Sequence, residues 1–342
     1  MRTTASLVLI IIAVISSSTS ADLQADRICS LPTPIAGLAV GGNVVLWADG
    51  RAGMWGVYGH DIPSGQDFTL SVGATYHSSS PGIDANGNVA AWFSTQDGGS
   101  GSIYGRNLST GQSYTIAQQT VHSGPSVSGD TVVWLDCRNG TNDRSDIYGY
   151  SLAQQSVFPI NITTNVKRDP VVGGNVVVWP EYRGGGFGIY GTYLSTGGEF
   201  TACSGLLTPP SSVSTDGAFV VWAYSTNIYV FNIATAEQFT ICPASAVQSS
   251  PQVSEGVVIW RDLRNGNSDI YGYDLARNIE FPISTDLSSQ VYPAINGNLV
   301  VWADNRSGNW EVYGATVPEP ATMSLLVLGG LGMLMRQRGL GK

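Results

Sequence analysis

The chain has 342 residues, of which 12% are charged, about half the usual quarter; with 42 glycines and 15 tyrosines this excludes a predominantly helical protein and points to turn-rich β structure. Its net charge is −9. Phosphate backbones are normally bound by clustered lysine and arginine, so nucleic acid is excluded as a partner. The length suits one large all-β domain or two ordinary ones.

The chain starts "MRTTASLVLIIIAVISSSTSADLQ", with one arginine, an apolar run from Ala5 to Ile15, and small residues up to Ala21. That order is the order of a secretory signal peptide. The run is shorter than the roughly 20 residues that span a bilayer. Residues 1–21 are therefore expected to direct export, with cleavage near Ser20 or Ala21.

From there one unit repeats. The segments "NVVLWAD", "NVAAWFS", "TVVWLD", "NVVVWPE", "AFVVWAY", "GVVIWRD" and "NLVVWAD" place tryptophans at 47, 92, 134, 179, 222, 260 and 302. An Ile/Val-Tyr pair follows each, ending at Tyr58, Tyr104, Tyr148, Tyr190, Tyr229, Tyr271 and Tyr313, and all but Tyr229 precede a glycine. A short proline-led segment comes before the tryptophan and a strand such as "DFTL" or "EFPI" comes after the tyrosine. Four short strands in roughly 42 residues mark a propeller blade. The expected fold is thus an all-β, seven-bladed β-propeller of four-stranded blades over residues 22–317.

Spacing supports the hairpin at the centre of each blade. Tryptophan and tyrosine lie 11 residues apart in four units but only 7 apart in "WAYSTNIY", where Ser225 and Thr226 remain as the turn. The loss of four residues is even, so both side chains keep their face. The Trp-Tyr pairs are read as packing, and the glycine after each tyrosine as room for a ring from the next strand. The seventh unit runs out before a fourth strand. "RICS", near the start, matches "FTIC" of the fifth unit, aligning Ile28 with Ile241 and Cys29 with Cys242, so an N-terminal strand is expected to close the ring.

Asp262 and Asp269 bracket a turn, with parallels at Asp49, at Asp136 with Asp146, and at Asp304. A calcium loop needs oxygen ligands at its third and fifth positions. Here the third position holds Arg264, and in the parallels Arg51, Arg138 and Arg306. A cation among the ligands favours a turn held by an Asp-Arg pair, with calcium the lesser alternative and no other cofactor implied. His60, His77 and His122 lack metal-ligand spacing, and no nucleophile elbow or phosphate loop occurs, so an enzyme is not expected. Cys29, Cys203 and Cys242 fall at matching places on outer strands, roughly 15 Å apart against a Cα limit near 7 Å, which favours thiols over disulfides. Trp55 and Trp310 stand outside the ladder, at the loop ends of units that ring closure makes neighbours. With Asn309 and Asp304 beside them they form the candidate ligand-binding rim; covering their own hairpin glycines is the alternative role.

The chain ends "VPEPATMSLLVLGGLGMLMRQRG". Pro318-Glu319-Pro320, an apolar stretch from Ala321 to Met335, and Arg336 and Arg338 occur in that order. Residues 318–342 resemble the PEP-CTERM sorting signal, which implies an exosortase-type enzyme as partner and a Gram-negative cell envelope or surface as destination. The membrane is then touched only by this segment. The repeats, from Arg27 to Val317, resemble TolB-type propellers through their Asp-x-Arg-x-Gly turn before Ile-Tyr, although the second unit lacks the arginine and the fourth has Glu181 for the aspartate. Leader and tail hold four of the 16 basic residues (Arg2, Arg336, Arg338 and Lys342) and one of the 25 acidic ones (Glu319), leaving 12 against 24, a net of −12. The expected function is an exported binding or scaffold module at the envelope or in the extracellular matrix, for polysaccharide or another surface protein. The alternative is a propeller-fold lyase or hydrolase acting on envelope polysaccharide.

Overall fold

The computed structural model describes residues 22–31, 35–51, 55–74, 81–83, 87–95, 101–121, 123–140, 144–243 and 246–317. These form twenty-eight strands and no α-helix. Five sheets have four strands each, and a sixth has eight. The sheet containing Trp260 is typical. Gln248–Ser254, Val257–Asp262, Asp269–Asp274 and Ile279–Ser284 pair in sequence order, each antiparallel to the next. The eight-stranded sheet consists of two such sets, around Trp92 and Trp134, joined through the single pair Asp136–Val121.

The Trp302 sheet differs in its outermost strand. Gln290–Asn296, Leu299–Asp304 and Glu311–Thr316 are continued by Asp26–Ser30, from the other end of the described chain. Arg27 forms an ion pair with Glu311 at 2.6 Å, and Asp22 accepts hydrogen bonds from the amide and hydroxyl of Thr285. The bulge at Ile28 sets Cys29 opposite Val312, as a bulge at Ala202 sets Cys203 opposite Ile189. The Trp222 sheet has no such bulge, so Ile241 takes that place opposite Ile228 and Cys242 follows the strand. The alignment of Cys29 with Cys242 is corrected accordingly, because a bulge adds a residue without shifting the pairs beyond it. No disulfide joins the four cysteines.

Packing explains the unbroken apolar second strands. Each sheet buries both faces against neighbours, so inward-outward alternation disappears, as in other doubly covered sheets. Val44–Asp49 is buried at every position. Trp47 packs in one cluster with Ala294, Val301, Ala303 and Val312 of the Trp302 sheet, and Trp302 packs with Ile259, Ile270, Phe281 and Ile283 of the Trp260 sheet. All seven Trp-Tyr pairs stand directly opposite across their hairpins, including Trp222 and Tyr229 around the short turn.

The glycine after each tyrosine does what its absent side chain allows. A Cβ on Gly272 would lie 2.5 Å from the Phe281 ring, which covers that glycine from the fourth strand. In the Trp222 sheet the equivalent residue is Val230, and the facing Phe239 is 38% exposed against 5% for Phe281.

Candidate functional site

At the loop end of five sheets the same four residues form a clasp. The carboxylate two residues after the tryptophan accepts the indole N–H: Trp47 to Asp49 and Trp134 to Asp136 at 2.9 Å, Trp179 to Glu181 at 2.7 Å, Trp260 to Asp262 at 2.9 Å and Trp302 to Asp304 at 3.1 Å. The arginine two residues further on pairs with that carboxylate and lays its guanidinium over the ladder tyrosine. Arg51, Arg138, Arg183, Arg264 and Arg306 stand 3.5, 4.2, 3.8, 4.1 and 4.3 Å from the rings of Tyr58, Tyr148, Tyr190, Tyr271 and Tyr313. A residue from the preceding stretch of chain adds a further donor in four cases: Thr120, at the end of the previous strand, to Asp136; Asn165 and Ser288, between sheets, to Glu181 and Asp304; and Gln248, at the start of its own sheet's first strand, to Asp262.

The electrostatics follow from this geometry. Burial raises the proton affinity of these carboxyls, but hydrogen bonds from the arginine and the indole outweigh it and hold Asp136, Glu181, Asp262 and Asp304 below the usual carboxylate range. Asp262 meets its partner Asp269 across the hairpin. Burial leaves Asp269 shifted upward, although Asn265 and Asn267 donate to it. Each clasp arginine thus occupies the place where a calcium loop would present oxygen, and among the described residues no cluster of three or more His, Cys, Asp or Glu side chains could hold a metal.

The four residues of the candidate rim differ in burial and in partners. Trp55 is half-buried at the start of Trp55–Asp61, with its indole 3.6 Å from where a Cβ on Gly50 would stand. Trp310 is half-buried against the cluster that holds Trp47 and Val312, and its carbonyl accepts the Leu31 amide at 3.0 Å. Asn309 is exposed. Asp304 is fully buried and accepts from the Trp302 indole, the Arg306 amide and guanidinium, and the Ser288 hydroxyl, so its oxygens serve the sheet. His60 is buried with Nδ1 2.7 Å from Asp67. His77 and His122 lie outside the described residues, as do Pro318, Glu319, Pro320, Arg336 and Arg338.

The Trp222 sheet has no clasp, and there the surface opens. Tyr224 replaces the carboxylate, and among the described residues no arginine lies over Tyr229, which stacks on Trp222 with ring centroids 5.6 Å apart. A cavity of about 480 Å³ results, between the fourth strand of the Trp179 sheet and the hairpin of the Trp222 sheet. Tyr224, Tyr229, Gln238, Thr201, Ser204 and Cys203 are among its walls. Sequence reasoning passed over this site, although "WAYSTNIY" carries the signal: like the Trp92 repeat it lost both charged members of the turn, and it alone also lost four residues of the loop.

Solved structures place the fold among β-propellers. The propeller domain of the trilobed protease from Pyrococcus furiosus is similar with a TM-score of 0.64 and 12% identity, over 82% of this chain and 94% of that one. Oligogalacturonate lyase from Vibrio parahaemolyticus gives 0.63 and 11%, over 87% and 94%. Acylaminoacyl peptidase from Pyrococcus horikoshii gives 0.60 and 12%, over 84% of this chain and 51% of that enzyme. At these identities the likeness is one of fold. At the C-terminus, residues 316–338 match the PEP-CTERM protein-sorting motif. The protein is a β-propeller carrying a PEP-CTERM signal, which implies an exosortase-type sorting enzyme and export to the envelope or surface of a Gram-negative bacterium. No curated protein matches the chain.

Proposed function

We propose that this protein is a seven-bladed propeller, delivered by an N-terminal signal peptide and the PEP-CTERM segment, that works at the cell surface or in the extracellular matrix as a binding or scaffold module, without a cofactor. Its ring is closed by the N-terminal strand. The sorting motif at the end of a propeller is the observation that carries the reading. Closure is supported by the pairing of Asp26–Ser30 with Glu311–Thr316, and by contact of each sheet's first strand with the next, including Gln290–Asn296 with Ile35–Gly41. The repeats resemble TolB-type propellers in their turn motif, but propellers host many functions.

A polysaccharide lyase or hydrolase is the alternative, favoured by the fold of the oligogalacturonate lyases. Acid-base catalysis needs titratable groups, such as carboxyls, within reach of a substrate proton. Those of the clasps are fully buried and already bonded within the sheet, which supports binding over chemistry. The test is surface labelling of intact cells, with and without residues 318–342, together with incubation of the purified protein with envelope polysaccharide. Binding predicts display that depends on the tail and polysaccharide or protein retention without new reducing ends. Catalytic release of reducing ends would move the assignment to the enzyme.

A further inference from the structure

We infer that the cavity at the Trp222 sheet is a binding site for an uncharged saccharide, stacked on Tyr229 and hydrogen-bonded by Gln238, Thr201, Ser204 and Tyr224. The inference rests on the binding-module reading and names its ligand class.

The argument starts from what the other sheets place there. Where the clasp exists, the tyrosine face is covered by a guanidinium, and that cation is always paired with a carboxylate. In two sheets a second carboxylate, on the fourth strand, also meets the arginine: Glu199 reaches Arg183 at 3.6 Å and Glu280 pairs with Arg264. Both stand opposite the residue two places after the ladder tyrosine, Thr192 and Tyr273. In the Trp222 sheet that register position, opposite Phe231, holds Gln238. All three charged members are therefore gone together: the aspartate has become Tyr224, the arginine is deleted with the loop, and the glutamate has become Gln238.

Charge and shape then select the occupant. A cation in this place would have the ring face but no counter-ion in the wall, and a cation leaving water without one is strongly disfavoured. Among the described residues that line the cavity there is no cationic side chain for an anion to meet. Burial pushes the Cys203 thiol up to about 11, so this wall too stays neutral at physiological pH. What remains is an aromatic face flanked by an amide and hydroxyls, the combination that suits the apolar C–H face and hydroxyl rim of a sugar. The Tyr224 hydroxyl accepts the Leu207 amide at 3.2 Å, which leaves its own proton to donate. The volume falls within the roughly 300–1,000 Å³ of small-ligand sites, and the exposed Thr201, Ser204 and Gln238 keep the mouth open to solvent.

The test is calorimetric titration of the purified full chain with maltotetraose, cellotetraose, isomaltotetraose and chitotetraose, alongside tetragalacturonate and tetra-arginine. At least one neutral tetrasaccharide binds, more tightly than either charged probe. Tyr229→Ala weakens it at least ten-fold; Gln238→Leu, at an exposed position, weakens it several-fold with the melting temperature unchanged; and Ser204→Trp, which fills the cavity from its rim, abolishes it. Loss with Trp55→Ala and Trp310→Ala but not with the cavity variants would overturn this site while leaving the binding module in place. Tetra-arginine binding that exceeds every sugar and tightens with Gln238→Glu would overturn it in favour of a cationic partner. No binding of any tetrasaccharide at millimolar concentration would overturn it as well.

Discussion

Replacing Asp262 with alanine removes the acceptor on which one clasp converges, and the structure sets the cost. The carboxylate is fully buried and accepts from the Trp260 indole at 2.9 Å, the Arg264 amide at 2.8 Å, the Arg264 guanidinium at 2.6 Å and the Gln248 amide at 3.1 Å. These donors do not suffer equally. Arg264 keeps Glu280 and is 29% exposed, so it turns to water, and Gln248 still donates to the Cys242 carbonyl. Trp260 is fully buried and its N–H has nowhere to go. One orphaned buried donor costs about 1–3 kcal/mol, and the lost bonds to arginine and glutamine raise the total to about 2–4 kcal/mol. The fold survives this, because the Trp92 indole N–H is already buried without a partner. At this length 1 kcal/mol corresponds to a little under about 2 °C, so Asp262→Ala lowers the melting temperature by about 3–7 °C, with Asp262→Asn falling between. Calorimetry on both variants checks it. A melting temperature within 1 °C of the unmodified protein would refute the clasp as a stabilising element.

Three further outcomes are expected. Gly272→Ala places a Cβ 2.5 Å from Phe281 and forces that ring outward as Val230 does Phe239, destabilising by about 1–3 kcal/mol in urea unfolding; an unchanged midpoint would show that the ring has another place to go. Asp136, Glu181, Asp262 and Asp304 are held below their unfolded pKa, so their stabilisation is complete above the ordinary carboxylate range near about 4 and is lost as pH falls below it, whereas the upward-shifted Asp269 acts with the opposite sign. Melting followed against pH therefore declines on the acid side, and a flat profile down to pH 3 would contradict the ion pairing. Deleting Asp22–Ser30 bares the edge of Glu311–Thr316 and removes the Arg27–Glu311 pair, lowering the melting temperature and promoting association through the exposed strand, read by light scattering; a monomer that melts like the intact chain would exclude the N-terminal strand as the closing element.

The repeat was legible in the sequence because it is local. A tryptophan, a turn and an Ile/Val-Tyr pair lie within one hairpin, and the period of two dictates their facing, so even the shortened "WAYSTNIY" turn predicts Trp222 opposite Tyr229 correctly. The aspartate-arginine pairing is equally local, two residues apart, and a cation at that position argues for a turn before any coordinate is known. The glycine after the tyrosine is a third such case, since its need for space comes from the strand next to it.

Other properties depend on residues far apart in sequence. That Asp304 is sealed by Ser288 and Trp302, and so withdrawn from the rim expected with Trp55, Trp310 and Asn309, follows from the approach of an inter-sheet segment. The one-residue bulge at Ile28, which shifts Cys29 out of line with Cys242, is a property of strand pairing that the letters do not carry. The cavity is the clearest instance: Tyr224, Gln238 and Thr201 come from two sheets, and each is an ordinary surface residue in its own repeat. Sequence alone determined the repeating unit, because hairpin chemistry acts between neighbours in the chain; only the tertiary structure decided which surface a missing clasp leaves open, because that space is bounded by side chains that meet across sheets.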